Sequence, residues 1–185
     1  LAQFLFREVY RFRGLIVSAG FDLVLTKPIS ALFRSLFAGA DIIDLATLPP
    51  LIIFIVYVGS TLSPSAINII LYLLLIINAL IIAAAFHIAV LALGIITLEI
   101  DHTVMIYRDI AALGRFPVDI YKEPLKSILT FVIPVALMVT VPAKALFSIT
   151  TTETILIAFL FGFISLFISL RFWKLALRQY TSASS

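Results

Sequence analysis

The residues of this sequence that could do chemistry are few, and they stand within or beside long apolar runs. Asp41 and Asp44 are three positions apart, so a helix would place both carboxylates on one face, where they could bind a cation or relay protons. The same pair also suits a first helical turn, where the helix dipole favours negative charge. His87 stands alone in an apolar run, either as a functional group or as a neutral ring bonded to a neighbouring helix. These three are the candidate polar residues within apolar helices.

Standard catalytic and metal-binding patterns are missing from the sequence. There is no cysteine, which excludes disulfides, thiolate metal sites and cysteine nucleophiles. His102 stands beside Asp101 and Glu99, but the spacing differs from patterns such as H-E-x-x-H and favours a solvated polar cluster. No G-x-x-x-x-G-K-[ST] motif occurs, so a P-loop nucleotide site is absent. The sequence predicts a protein that is not an enzyme and has no cofactor or metal site.

The elements that must position these residues are membrane helices. Hydrophobic residues make up 63% of the 185 and charged residues only 12%, against about 25% charged in a soluble domain. No charged residue occurs from Leu45 to Leu98, and about 20 residues of helix cross a bilayer. The breakers of Gly59–Ser65 divide this run into spans at 42–60 and 66–98. Pro49 and Pro50 should kink or interrupt the first of them.

Two further charge-free runs, Ser127–Ala143 and Thr154–Leu170, predict a third and a fourth span. The fold class is therefore all-α, a polytopic transmembrane helical bundle with four spans. The polar segment between the second and third runs, residues 99–126, is predicted to be a connector at the cytoplasmic surface.

Topology follows from the basic residues, which flank the spans and do not form a stripe that would suit nucleic acid. They are Arg7, Arg11, Arg13, Lys27 and Arg34 before the first span, and Arg171, Lys174 and Arg178 after the fourth. An even number of spans puts both groups on one side, and the positive-inside rule makes that side the cytoplasm. Lys144 is the exception, a cation near the outer end of the third span that is predicted to snorkel to the interface. The sequence predicts a multi-pass protein of the cell membrane.

The segment before the first span, residues 7–35, has an amphipathic pattern typical of a surface segment. Ala19-Gly20 breaks its first helix, a short helical piece follows at Phe21–Thr26, and Lys27-Pro28 ends that piece. We predict a small helix on the cytoplasmic surface that can dock onto a soluble partner.

Several sequence blocks resemble the small six-span permeases of the ABC-2 transporter family. That family carries R-[FY]-P-[aliphatic]-D-I-Y, F-x-[IV]-P-[VF]-A, P-A-[RK]-A-L and W-[RK]-x-[GA]-L-[RK]-x-Y-x-S-A in this order. The corresponding blocks here are Arg115–Tyr121, Phe131–Ala136, Pro142–Leu146 and Trp173–Ala183. The family's L-D-x-L-L-x-[RK]-P is met loosely by Phe21–Pro28. The glycine that the family usually has three residues before this Asp is Ala19 here, with Gly20 one place later.

The resemblance implies that residues 1–185 are a single permease domain, the last two-thirds or so of a six-span protein of the bacterial inner membrane. The four spans would then be the third to sixth. Such permeases dimerise, or pair with a sister permease, and bind cytoplasmic ATPase subunits. The resemblance places the coupling helix in the first cytoplasmic segment, with these residues contacting or bracing the ATPase: Phe21, Asp22, Leu23, Lys27, Pro28, Arg115 and Asp119.

Two other function classes are compatible with parts of the sequence. An ion- or proton-coupled carrier or channel would use Asp41, Asp44 and His87. A lipid-modifying membrane enzyme would need a converging cluster of acids, histidines or a nucleophile, which the sequence does not show. Under the leading hypothesis, ATP-driven export, the substrate stays open, since the 16 phenylalanines would suit a drug, a lipid or a peptide.

Overall fold

A computed structural model describes residues 2–39, 42–97 and 101–181, and within these ranges the chain is helical without a β-strand. The α-helices are α1 (Ala2–Leu5), α2 (Phe12–Val17), α3 (Gly20–Leu25), α4 (Ala31–Phe37), α5 (Ile42–Thr61), α6 (Ala66–Thr97), α7 (Asp101–Ala112), α8 (Leu125–Ser127), α9 (Val141–Leu146) and α10 (Thr152–Gln179). Tighter 3-10 turns cover Arg7–Arg11, Leu113–Arg115 and Val118–Ile120, and wider π turns cover Ile128–Val132 and Ala136–Thr140.

The centre of the fold is the pair α6 and α10, which run in the same direction and pack along most of their length. Both helices are long and apolar enough to cross a membrane, as predicted for the runs at 66–98 and 154–170. The buried Asn78 amide donates to the carbonyl of Ala158 at 2.9 Å, and Gly162 lies against the same side chain. A small residue there lets the two backbones approach closely, as in other membrane helix pairs.

We expect Gly162→Ala to destabilise the protein by about 1–2 kcal/mol, because the new methyl group would collide with the Asn78 amide and strain its buried hydrogen bond. Gly14→Ala is the matched control, since a Cβ at helical Gly14 meets nothing within 4 Å. Alanine also favours a helix over glycine, so the control should be neutral or slightly stabilising. Thermal unfolding in detergent measures both variants, and equal shifts would contradict this account of the helix contact.

The third charge-free run does not form one straight helix. The segments Leu125–Val132 and Ala136–Leu146 meet at a bend of 73°. Ile133 is extended, with φ −119° and ψ 92°, because the residue before a proline disfavours helical geometry, and Pro134 itself has no amide hydrogen to donate. The described residues therefore contain two candidate spans, or three if the bent pair counts as one, and the predicted four spans are not confirmed.

Helix α5 packs little against the rest of the chain. It continues through Pro49 and Pro50, so the predicted interruption at this pair does not occur. The portion Leu45–Thr61 is an apolar helix shorter than a full span, and all its side chains are exposed or half-exposed. The residues that the structure describes thus supply almost no cover for this portion of α5.

Candidate functional site

Helix α3 is the short surface helix that the sequence predicted, and a backbone turn at Ala19 sets its direction. Ala19 has φ 55°, in the left-handed region that favours glycine. This is the position where the resembling family usually has glycine, so the alanine carries a backbone strain that a glycine would avoid. The turn separates α2 from α3 and aims Phe21 and Val24 into the bundle, where both are buried.

Four aromatic rings fix α3 to the end of α10. Phe21 makes edge-to-face contacts with Trp173 and Tyr180, at centroid distances of 6.4 and 5.2 Å. Phe12 contacts Phe21 at 5.1 Å and Trp173 at 6.3 Å. Such pairs stabilise by about 0.5–1.5 kcal/mol each beyond the area they bury. We call these four residues the aromatic cluster. It joins the surface segment to the last helix.

A hydrogen bond adds to this contact, because the Tyr180 hydroxyl donates to Asp22 Oδ1 at 2.8 Å. Burial, together with this bond to a carboxylate, raises the pKa of Tyr180 to about 12. The neutral phenol is therefore the form that holds α3. Since the folded pKa lies above the ordinary value of 10, this contribution is present below pH 10 and is lost as pH rises through 12.

We expect Tyr180→Phe to loosen α3 without unfolding the bundle, because it removes the donor from a half-buried carboxylate at a cost of about 1–2 kcal/mol. Amide exchange within α3 should accelerate, and absorbance titration should lose the tyrosine whose pKa is raised to about 12. The control is Tyr57→Phe on the exposed surface of α5, which should change neither amide exchange in α3 nor this step of the titration. Unchanged exchange in Tyr180→Phe would contradict a holding role for the bond.

An exposed apolar and cationic surface is formed by the opposite side of α3 together with the turn that follows it. Leu23 is 66% exposed, and Leu25, Lys27, Pro28 and Ile29 are exposed as well. The next helix begins at Ser30, whose hydroxyl caps it by accepting from the amide of Phe33. We call this set, Leu23, Leu25, Lys27, Pro28 and Ile29, the α3 surface. It is an exposed surface on a helix that the aromatic cluster holds from behind.

The structure does not bring Arg115 and Asp119 to the α3 surface. Asp119 pairs with Lys144 at 2.5 Å and with Lys126 at 3.4 Å. These residues line a cavity of about 220 Å³ with Thr151 and Thr154 at the start of α10, whereas Asp22 bonds Tyr180 just beyond its end. A 28-residue helix is about 42 Å long.

This geometry bears on two sequence predictions. Residues 113–121, which are part of the predicted connector 99–126, lie beside the bent helix pair and not next to the α3 surface. Lys144, which was predicted to snorkel to the interface, is paired with Asp119, because the chain returns Asp119 to the same end of the bundle. The predicted interface residues therefore divide into two groups at opposite ends of α10.

The remaining candidates were the polar residues within apolar helices. His87 is buried in α6, with Nδ1 2.7 Å from the carbonyl of Ala83 on its own helix and its ring against Phe6 at 4.9 Å. The bond of Nδ1 is thus within α6. Asp41 and the side chain of Asp44 lie outside the described residues, as do Glu99 and the side chain of Asp101.

Sequence reasoning missed the parts of the site that Trp173 and Tyr180 contribute. By residue type alone, tryptophan and tyrosine near the end of a span favour the level of the membrane interface. The signal that pointed to more was the block Trp173–Ala183, which resembles the family's C-terminus and contains both rings. Nothing in that block indicates that its partners are Phe21 and Asp22, 158 positions away in the case of the Tyr180 bond.

Comparison with known proteins agrees with the helices and motifs. A sequence model described as ABC-2 family transporter protein matches residues 1–184. Neither the curated proteins nor the solved structures gave a match. With a match over nearly its whole length, the chain belongs to the ABC-2 family of transporter membrane proteins.

Proposed function

We propose that this chain is the permease subunit of an ATP-driven exporter, and that the α3 surface is where a separate cytoplasmic ATPase subunit docks. The family match over residues 1–184 is the observation that carries the transporter assignment. The sequence has no P-loop motif, so ATP would be hydrolysed by the partner. The geometry of α3 supports the docking surface.

A surface that transmits force must be exposed on one side and held on the other, and α3 satisfies both conditions. Leu23 and Lys27 project outward, while Phe21 is fully buried in the aromatic cluster. Movement of α3 would therefore act on α10 through Trp173 and Tyr180. Since α10 packs along α6, the two long helices would move as one body, as in other rigid-body switches.

The finer architecture is part of the same proposal. The described helices belong to the last two-thirds or so of a six-span permease in the bacterial inner membrane. A second permease subunit, identical or a sister, covers α5. Support for this comes from the all-round apolar surface of α5 between Leu45 and Thr61, which the described residues leave open. The basic side chains Arg171, Lys174 and Arg178 at the end of α10 support a cytoplasmic location for the α3 surface.

The direct test is co-purification of this chain, in mild detergent, with the ABC ATPase subunits of its host. We expect one of them to be retained in stoichiometric amount and its ATP hydrolysis to change when the permease is present. If every such ATPase fails to associate with a permease that is monodisperse and folded, the proposal is wrong.

A further inference from the structure

The motif Arg115–Tyr121 lies against the bent helix pair. A Cβ at Gly114 would collide with Val135 and touch Val139, so the chain passes directly over these two residues. Further along, the amide of Val118 donates to Thr140 Oγ1 at 3.3 Å. These contacts fix the position of the motif along the axis of the long helices.

Along that axis, the motif lies level with the middle of α6. Leu137, between the two valines that Gly114 touches, packs in one buried cluster with Leu75 and Ile82. Ile82 is near the centre of α6, which at 32 residues is about 48 Å long. Because the hydrocarbon core of a bilayer is about 30 Å thick, the centre of this helix lies within it. Gly114 and Arg115 are therefore at membrane depth and not on the cytoplasmic surface.

A charged side chain at this depth needs water or an opposite charge. Arg115 is exposed, and no described residue forms an ion pair with it, since the nearby Asp119 is paired with Lys144 and Lys126. Phe116 is 59% exposed and extended, with φ −111° and ψ 150°. Non-helical backbone at membrane depth is tolerated only where protein or a water-filled cavity covers it.

A polar cavity adjoins the motif on its outer side. It holds about 220 Å³ and is lined by Asp119, Lys126, Lys144 and by the threonines Thr130, Thr140, Thr150, Thr151 and Thr154, with a few apolar neighbours. Both ends of the bent helix pair reach this cavity, because Lys126 and Lys144 meet on one carboxylate. Within the motif, Val118 and Asp119 line the cavity, so water can approach the motif from their side.

We propose that the Arg115–Asp119 motif borders a water-filled cavity at membrane depth, and that the Arg115 guanidinium binds an oxyanion, a carboxylate or phosphate, on the transported molecule. Guanidinium groups match these oxyanions with two parallel hydrogen bonds. The exposed Phe116 ring offers an apolar surface to the remainder of the same molecule. This inference rests on the proposed transport function, but its test requires neither the ATPase nor the transported molecule.

The chain has no cysteine, so single cysteines can be introduced without background. In proteoliposomes of the full chain, Phe116→Cys is labelled with a negatively charged thiol reagent, 2-sulfonatoethyl methanethiosulfonate, and a positively charged one, 2-(trimethylammonium)ethyl methanethiosulfonate. We expect the anionic reagent to be favoured about tenfold relative to its preference at Ile67→Cys, an exposed position at the start of α6 that does not line the cavity. Adding Arg115→Gln should remove this preference, and Arg115→Lys should retain most of it.

The location of the motif is tested separately by the side from which reagents reach it. Ile120→Cys should be labelled from the same face as Ile149→Cys, and Leu23→Cys from the opposite face; all three side chains are exposed. Labelling of Ile120→Cys only from the face of Leu23 would overturn the depth assignment. A charge preference unchanged by Arg115→Gln would overturn the oxyanion contact, and no reaction of Phe116→Cys with either reagent would overturn the access of water to Arg115. None of these outcomes depends on whether an ATPase binds.

Discussion

Replacing Leu23 with glutamate is expected to abolish capture of the partner ATPase while leaving the helical bundle folded. Leu23 is the most exposed large apolar side chain of the α3 surface, at 66%. Burying a leucine in an interface contributes about 1.5–3 kcal/mol, and burying an unpaired carboxylate instead adds a further cost. The combined loss corresponds to a fall in affinity of about 100-fold or more.

The experiment compares ATPase retained on the purified permease for Leu23→Glu and for Ile149→Glu. Ile149 is equally exposed, at 68%, but lies before the start of α10, at the other end of the bundle. Both variants should melt close to the parent, because surface substitutions usually change stability by no more than about 0.5 kcal/mol. Normal capture by Leu23→Glu, or equal loss in both variants, would contradict docking at the α3 surface.

The second large effect is expected from Trp173→Ala, which should destabilise the protein by about 3–5 kcal/mol. Trp173 is 4% exposed and contacts both Phe12 and Phe21. Its removal leaves a cavity between α3, α2 and α10 that these rings cannot refill without shifting the surface segment. Thermal unfolding in detergent measures the loss of stability.

The same change should also uncouple the α3 surface from the long helices. Leu175→Ala is the control, because Leu175 lies on the exposed side of α10 two residues away. We expect Trp173→Ala, but not Leu175→Ala, to accelerate amide exchange in both α2 and α3. As Trp173 is the single tryptophan of the chain, its fluorescence in the parent protein reports the same opening. A loss below about 1 kcal/mol, with unchanged exchange, would show that the aromatic cluster does not hold α3.

Much of the helical pattern could be read from apolar runs and breakers. The span predicted at 66–98 corresponds to α6, Ala66–Thr97, and the run at 42–60 to α5, Ile42–Thr61. The short surface helix predicted at Phe21–Thr26 is α3, displaced by one residue. These features were predictable because they depend on local chemistry: helix breakers end helices, and charge-free stretches of sufficient length favour lipid.

The third run shows where such reasoning is incomplete. Its composition is that of a span, but Pro134 divides it, and Lys126 and Lys144 both pair with Asp119. A count of apolar residues cannot distinguish a straight helix from a bent pair. The ion pair of Lys144 joins residues 25 positions apart in sequence, and no local pattern indicates that partner.

By itself, the sequence determined that this is an all-helical membrane protein of the ABC-2 type, because composition, charge placement and motif order are local or additive properties. The tertiary structure decided which candidate residues act together. It joined Phe21 and Asp22 to Trp173 and Tyr180, and it placed Asp119 at the other end of α10. These juxtapositions follow from how the helices pack, which is fixed by the fit of side chains such as Asn78 against Gly162 and is not encoded in the spacing of any one segment.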